Sequence, residues 1–474
     1  MWGRNYVIAM LFFFLSRFYI LSIHTTIVSS DIGFVSLYAL HAREQIQQNK
    51  SPYEDFESVI EQHDSTHFLR SPEYRKIAYP PMAILLMAIP GLFIPYEGVY
   101  AGPTMATQAL WSVLFRFLLF IFEALFFILL LWICAKGTCG LGIENIWFYL
   151  LLSTTHFDLL YDRLDVVSAS LVGIMGIFFT NYRHYSLLRL LVVFGLWSSS
   201  VTYKFIPIFS GPLLVIFAFF SEFSSSSKNW LAHGLRVFLL SVLCLVLPFL
   251  VFYFFWGSPT FDWIQFNALR PIHLESFWGN IAVVSHFISK TSDLRIESSY
   301  GSLNVVGEFG LITPFLASVF QLLGSALVSA YFGFLMFFMR GRIRGESGFL
   351  VLMSGLSACL LASILLGKVF SVQFIFNVFP LLALIPLNRI SIGSRNQLIC
   401  LSLIVSFLSF LIFPMFFQKY VFLSIGRHFR SEVLDFSTTW VGAWLIFSRN
   451  LAMLFLIAVL MRLGWNKVFY DLKQ

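Results

Sequence analysis

The chain has 474 residues, 58% hydrophobic and only 12% charged, against about 25% charged in a soluble globular domain. With a mean hydropathy of +0.81, this excludes a string of soluble domains and points to one integral membrane domain over residues 1–474. The net charge of +7 does not point to nucleic acid, because the basic residues collect in short loops between apolar runs, where the positive-inside bias places them.

A helical span takes roughly 20 apolar residues. Apolar segments lie at 5–24, 81–98, 106–135, 143–157, 163–180, 185–201, 204–221, 231–256, 308–338, 346–366, 369–388, 397–417 and 438–462. The Gly and Pro pattern is not that of alternating strands, so the fold class expected is an all-α multi-pass bundle with a helical backbone satisfied within lipid. The N-terminus resembles a signal peptide, but Arg17 interrupts the apolar stretch and no small-x-small cleavage site follows, which makes it an uncleaved first span. The basic loops at Arg183–Arg189, Lys228–Arg236, Arg340–Arg344 and Arg389–Arg395, with the tail of Arg462, Lys467 and Lys473, belong inside. The stretches 25–80, 158–163, 202–204, 257–305, 367–369 and 418–437 then fall outside. That orientation leaves one crossing too many among 81–98, 106–135 and 143–157. One of the three is short, re-entrant or part of a longer broken helix, for about twelve spans with both termini inside.

The two long outer loops carry amphipathic pieces. In 25–80 a helix is expected through Val35, Tyr38, Ala39, Ala42 and Ile46, then a second through Phe56, Val59 and Ile60. In 257–305 one runs from Phe277 to Ile288. Such helices lie flat at an interface. The five cysteines sit in or beside apolar runs with no zinc spacing and no paired framework, and read as small apolar fillers.

Polar residues at span edges are the candidates for chemistry. Asp31 directly follows the first span; it is either an interfacial carboxylate or a helix N-cap. Asp158, Asp162 and Asp165 share one face if their stretch is helical. Carboxylates so stacked repel unless a cation or a proton relieves them; a metal, a substrate cation or Arg163 would serve, and Arg163 paired with Asp158 or Asp162 is the structural alternative. Lys204 and Lys368 sit in outer turns, suited to phosphate or to snorkelling towards headgroups. The stretches Arg270–Ser276 and Arg295–Asn304 offer charged and hydroxyl groups for a sugar or a phosphate. Arg17, Arg116, Glu123 and Arg449 fall inside apolar runs, where a central charge costs roughly 3 kcal/mol. Structural pairing is their plainest reading, and Arg116 and Glu123, seven apart, share a face.

Four places together resemble the polytopic GT-C glycosyltransferases, in particular the family 87-like, polyprenol-phosphate-dependent mannosyltransferase group. They are Asp31 with Ser51-Pro52-Tyr53 and Tyr79-Pro80-Pro81; Arg163-Leu164-Asp165 with Thr202-Tyr203-Lys204; Arg270 to Ser276; and Lys368 to Phe374 with Pro380. The chain departs from the family at Ser371-Val372-Gln373-Phe374, where Ser-Pro-Gln-Tyr is common, and at Asp162-Arg163, where Gly-Gln is common. The resemblance implies transfer of a hexose from a polyprenyl-phosphate donor to a lipid-linked or glycan acceptor, on the outer face of a bacterial inner membrane. By the same resemblance Asp31 is the catalytic base. Lys204, Lys368 and Arg270 offset the charge growing on the leaving phosphate, Asp165, Glu275 and Gln373 hold the sugar, and Arg163 and Tyr79 line the substrate site. A divalent cation is compatible with the scheme and not required by it. The competing expectation is a transporter or lipid flippase, which would place its polar groups near the midplane.

Overall fold

The computed structural model describes residues 3–24, 30–58, 77–94, 104–157, 159–179, 187–222, 230–289, 294–300, 302–307, 313–339, 343, 345–415, 423–424, 436–437 and 439–473. Val59, Ile60, Asp158 and nearly all of the Arg340–Arg344 loop lie outside these residues, as does the Asp31 side chain. In chain order the helices are α1 (Arg4–His24), α2 (Ser30–Gln47), α3 (Pro81–Gly91), α4 (Met105–Ala135), α5 (Ile143–Thr154), α6 (Asp165–Phe178), α7 (Leu187–Tyr203) and α8 (Gly211–Glu222). There follow α9 (Trp230–Trp256), α10 (Asp262–Leu269), α11 (Phe277–Ser289), α12 (Pro314–Phe338), α13 (Glu346–Leu366), α14 (Phe379–Ala383), α15 (Ile392–Phe410) and α16 (Trp440–Lys473).

Among the described residues seven helices, α1, α4, α9, α12, α13, α15 and α16, are long and apolar enough to cross a membrane. The chain is therefore a helical membrane protein. The other apolar segments form shorter helices: α6 has 14 residues, α7 has 17 and α5 has 12. Local chemistry sets several starts. Thr104 and Thr313 accept the N–H of Thr107 and Leu316, and Pro81 and Pro314 stand in first turns, where a missing N–H costs nothing.

Helix α13 is apolar all round and buried from Gly348 to Leu365, as expected of a helix at the centre of a bundle. It packs on α12 and α16. At the rim, α9 exposes Leu235, Leu239, Leu243, Leu250 and Phe254, a face for lipid rather than water. Close approach of α6 to α4 depends on Gly173, where a Cβ would collide with the Phe126 ring and Pro380.

Helices α1 and α4 run antiparallel. The Tyr6 hydroxyl donates to the Cys134 carbonyl at 3.1 Å, and Arg17 meets Glu123 at 2.8 Å. The chain thus leaves α1 and enters α4 at the same end of the bundle. Between them lies α3, whose 11 residues are held beside the start of α4 by a bond from the Trp111 indole to the Met87 carbonyl, 3.1 Å; for α1 and α4 as two spans, α3 adds no crossing.

Two expectations change. Helix α2 carries the predicted apolar positions, but Ser36, Leu37, Leu40 and His41 are buried as well, so protein, α3 and α4 included, covers more of it than the one face an amphipathic pattern leads one to expect. Strands also occur. The segments β1 (Ile272–His273), β2 (Arg295–Ser299), β3 (Ser302–Val306), β4 (Leu423–Ser424) and β5 (Phe436–Ser437) form an antiparallel sheet in the order β1-β3-β2-β5-β4. Ile296, Leu303 and Val305 face Leu274, Val283, Ala443 and Ile446 in a small second core. Of the stretch Arg295–Asn304, read as a sugar or phosphate surface, Arg295–Ser299 and Ser302–Asn304 are β structure. Asn304 Nδ2 is spent on the Ser299 carbonyl at 2.7 Å and the Ser299 hydroxyl at 2.9 Å.

Candidate functional site

The end of the bundle where α1 stops and α4 starts is also where α6 begins and α7 ends. Ser168 Oγ donates to the Ser200 carbonyl at 3.2 Å. Asp165 opens α6, where a carboxylate suits the positive helix end. Lys204 follows α7 directly, and its N–H bonds the Ser200 carbonyl at 2.9 Å. The corner after it is held by Pro207, whose carbonyl accepts from the Trp197 indole at 2.9 Å.

These two residues form the centre of the cluster. Lys204 Nζ lies 3.1 Å from Asp165 Oδ2, with the carboxylate fully buried and the lysine side chain 16% exposed. Asn377 Nδ2 approaches the other oxygen, Oδ1, at 3.5 Å. The ammonium faces two aromatic rings, Phe374 at 5.1 Å and Tyr79 at 5.7 Å, within cation–π range. Tyr79 is set in place by the Tyr53 hydroxyl, which donates to its carbonyl at 2.8 Å. Gln373, Phe374 and Asn377 come from one 3-10 segment, Val372–Asn377, and Gln373 Oε1 accepts from Ser371 at 2.5 Å.

Helix α10 links this cluster to a second one. Asn267 Nδ2 donates to the Ala78 carbonyl, beside Tyr79, at 3.3 Å, and the neighbouring Ala268 carbonyl accepts Lys368 Nζ at 2.6 Å. Lys368 also receives the His273 N–H on its own carbonyl at 2.8 Å. Arg270 ends α10, and its charge, after burial, brings the Lys368 amine down to about 8. Burial first, then Arg270 and Arg449, hold His273 well below its ordinary value. His273 Nδ1 is buried with no hydrogen-bond partner among the described residues. Burial first and cation crowding second disfavour protonation here, and a bound anion would favour it.

Glu275 stands apart from that task. Its carboxylate accepts Arg449 Nη1 at 3.2 Å and its carbonyl accepts Nη2 at 2.5 Å. Arg449 is stacked 3.8 Å from the Phe370 ring centre. Burial raises the Glu275 carboxyl while Arg449 opposes the shift. Its geometry ties α16 to the β1 turn.

The described part of the acidic run before α6, residues 159–164, is a turn rather than a helix, and α6 begins only at Asp165. Asp162 and Asp165 therefore do not stack on one face. Asp162 pairs with Arg116 at 2.8 Å rather than relying on Arg163 alone, and Arg163 is partly buried in the turn. Arg116 consequently does not pair with Glu123, which takes Arg17 instead. Asp31 lies in the first turn of α2.

Tyr79, Asp165 and Lys204, singled out separately in the sequence, meet in one place, with Lys368 and Gln373 on the adjoining segment. Phe374 as a ring partner, Asn377 and Asn267 were missed. Asn377 had a signal, being a lone amide inside the apolar run 374–386. Among the described residues no group of three or more His, Cys, Asp or Glu side chains converges to hold a metal. Comparison with family models, with curated proteins and with solved structures finds no match to this chain.

Proposed function

We propose that the chain is a membrane glycosyltransferase of GT-C type, with the shorter helices completing a bundle of about twelve crossings. It moves a hexose, mannose by resemblance, from a polyprenyl-phosphate donor to a lipid-linked or glycan acceptor on the outer face of a bacterial inner membrane. The observation that carries the reading is the Asp165–Lys204 pair walled by Tyr79 and Phe374, with Asn377 beside it. A fixed carboxylate and amides can take sugar hydroxyls, and flat rings can take the apolar face of a pyranose. The neighbouring Lys368, Arg270 and His273 supply the cationic setting a leaving phosphate requires.

In the reaction the acceptor oxygen forms a bond to the anomeric carbon as the bond from that carbon to the phosphate oxygen breaks. The acceptor proton passes to a base, assigned to Asp31, and polyprenyl phosphate leaves with its extra negative charge opposite Lys204, Lys368 and Arg270. In-line attack inverts the anomeric centre. Glu275 acts here through Arg449, holding the β1 turn rather than the sugar.

A transporter would place its polar groups along a midplane passage, whereas Asp165, Lys204 and Lys368 sit at helix ends. The test is transfer by purified protein in detergent, with radiolabelled polyprenyl-phosphate hexoses and a membrane lipid extract as acceptor. Label should pass into a new glycolipid, and Asp31→Asn should slow this by about 10²-fold or more. Equal transfer by both proteins removes Asp31 as the base. Absence of transfer across varied donors and acceptors shifts the reading to transport.

A further inference from the structure

The chain carries two buried ion pairs that the transfer chemistry does not use, and both end on the turn that leads into Asp165. Tyr161 donates its hydroxyl to Glu123 Oε2. The other oxygen of Glu123 accepts Arg17 Nη2 at 2.8 Å and the Tyr149 hydroxyl at 3.0 Å. Arg17 in turn reaches Ser153 at 2.5 Å and Thr154 at 3.0 Å, at the end of α5. One residue after Tyr161, Asp162 Oδ1 accepts Arg116 Nε at 2.8 Å.

Tyr161 and Asp162 are adjacent in the chain, yet they are tied to positions of α4 seven residues apart, roughly 10 Å along a helix axis. A single pair would neutralise charge and leave the turn free to rotate. Attachment at two separated points of one straight helix fixes both the height and the rotation of the turn. The turn has little slack of its own: Leu159 N–H bonds the His156 carbonyl at 3.0 Å, and Asp162 N–H bonds the Leu159 carbonyl at 3.2 Å. Leu164 follows, and its carbonyl accepts the N–H groups of Val167 and Ser168 at 3.0 and 3.4 Å as α6 starts.

We infer that Arg116 and Glu123 of α4 are positioning residues: through Asp162 and Tyr161 they clamp the 159–164 turn and thereby set the Asp165 carboxylate against Lys204. Neither touches the Asp165–Lys204 pair. The catalytic consequence rests on the transfer reading above, while the clamp itself does not. Arg17 locks the clamp to α1 and α5, so the same network joins three helices and aims one carboxylate.

The test uses the full chain in detergent and two mild variants, Tyr161→Phe, which removes one hydroxyl, and Arg116→Lys, which keeps the charge and loses the guanidinium geometry. Amide hydrogen exchange across 159–168 should quicken about tenfold in either variant, with exchange in α1 and the rest of α4 at the parental level. In the transfer assay kcat should fall about tenfold with the donor KM unchanged. If both variants leave the turn at parental exchange, or quicken α1, α4 and α5 alike, the clamp is overturned and the network is general packing. A parent protein without transfer activity removes the functional reading only, since the exchange comparison still decides the clamp. If Tyr161→Phe does not fold, Arg116→Lys decides.

Discussion

At the scale of single residues, burial and neighbouring charge decide what each polar group can do. Lys204 is committed to Asp165 at one atom and faces two rings with the rest of its ammonium. Lys368 is different. Its pKa falls to about 8 through burial and Arg270, so its charge is present below that pH and lost above it. Anion recognition that depends on this charge should weaken as pH rises through about 8. We expect a falling limb there in the pH profile of kcat/KM for the donor. Lys368→Arg should shift that limb to higher pH, because a guanidinium keeps its proton; an unshifted limb would assign the titration to another group. Several of these residues were legible because a polar side chain at the edge of an apolar run is conspicuous. Their partners were not. Glu275 and Arg449 are 174 residues apart, and nothing in local spacing links them. Asp162 takes an arginine from α4, 46 residues earlier in the chain.

At the scale of elements, α1, α4 and α5 are joined by the Arg17–Glu123 pair with Tyr149, Ser153, Thr154 and Tyr161 around it. A charge left alone there has no water to turn to. Removing one partner of a buried pair typically costs about 3–5 kcal/mol, while replacing both by apolar groups is often neutral. Glu123→Leu should therefore lower the unfolding free energy in detergent by about that amount, and adding Arg17→Met should recover most of it. The recovered double variant should still transfer poorly, since the Tyr161 hydroxyl has lost its acceptor. A double variant no more stable than Glu123→Leu would mean the pair contributes by specific packing rather than by charge neutralisation. The hairpin of β2 and β3 shows a different limit of element reading. Five-residue strands in a loop otherwise flanked by helices gave a short alternation that is too brief to stand out beside twenty-residue apolar runs.

At the scale of the molecule, the antiparallel pairing of α1 with α4 means that residues 25–104 make no net crossing. Cysteines placed at the exposed positions Asn49 and Thr104 should both react with a membrane-impermeant thiol reagent from one side. A cysteine at the exposed Lys136, beyond the far end of α4, should react from the other. The comparison is made with exposed Cys400 replaced. Labelling of Asn49→Cys and Thr104→Cys from opposite sides would make α3 a span and overturn the arrangement.

The amino-acid sequence by itself determined the class of this protein, because twenty-residue apolar runs with few charges have no stable place in water. It also determined the edges of many helices and the residues at those edges that merit attention. The tertiary structure decided which of those residues share a site, which apolar segment stays on one side, and which carboxylates are held by which arginines. These are contacts between helices far apart in the chain, and hydrophobic periodicity reports which face of a helix is covered without reporting what covers it. Asp165 and Lys204 are readable one at a time; only the antiparallel packing of α6 on α7 makes them a pair.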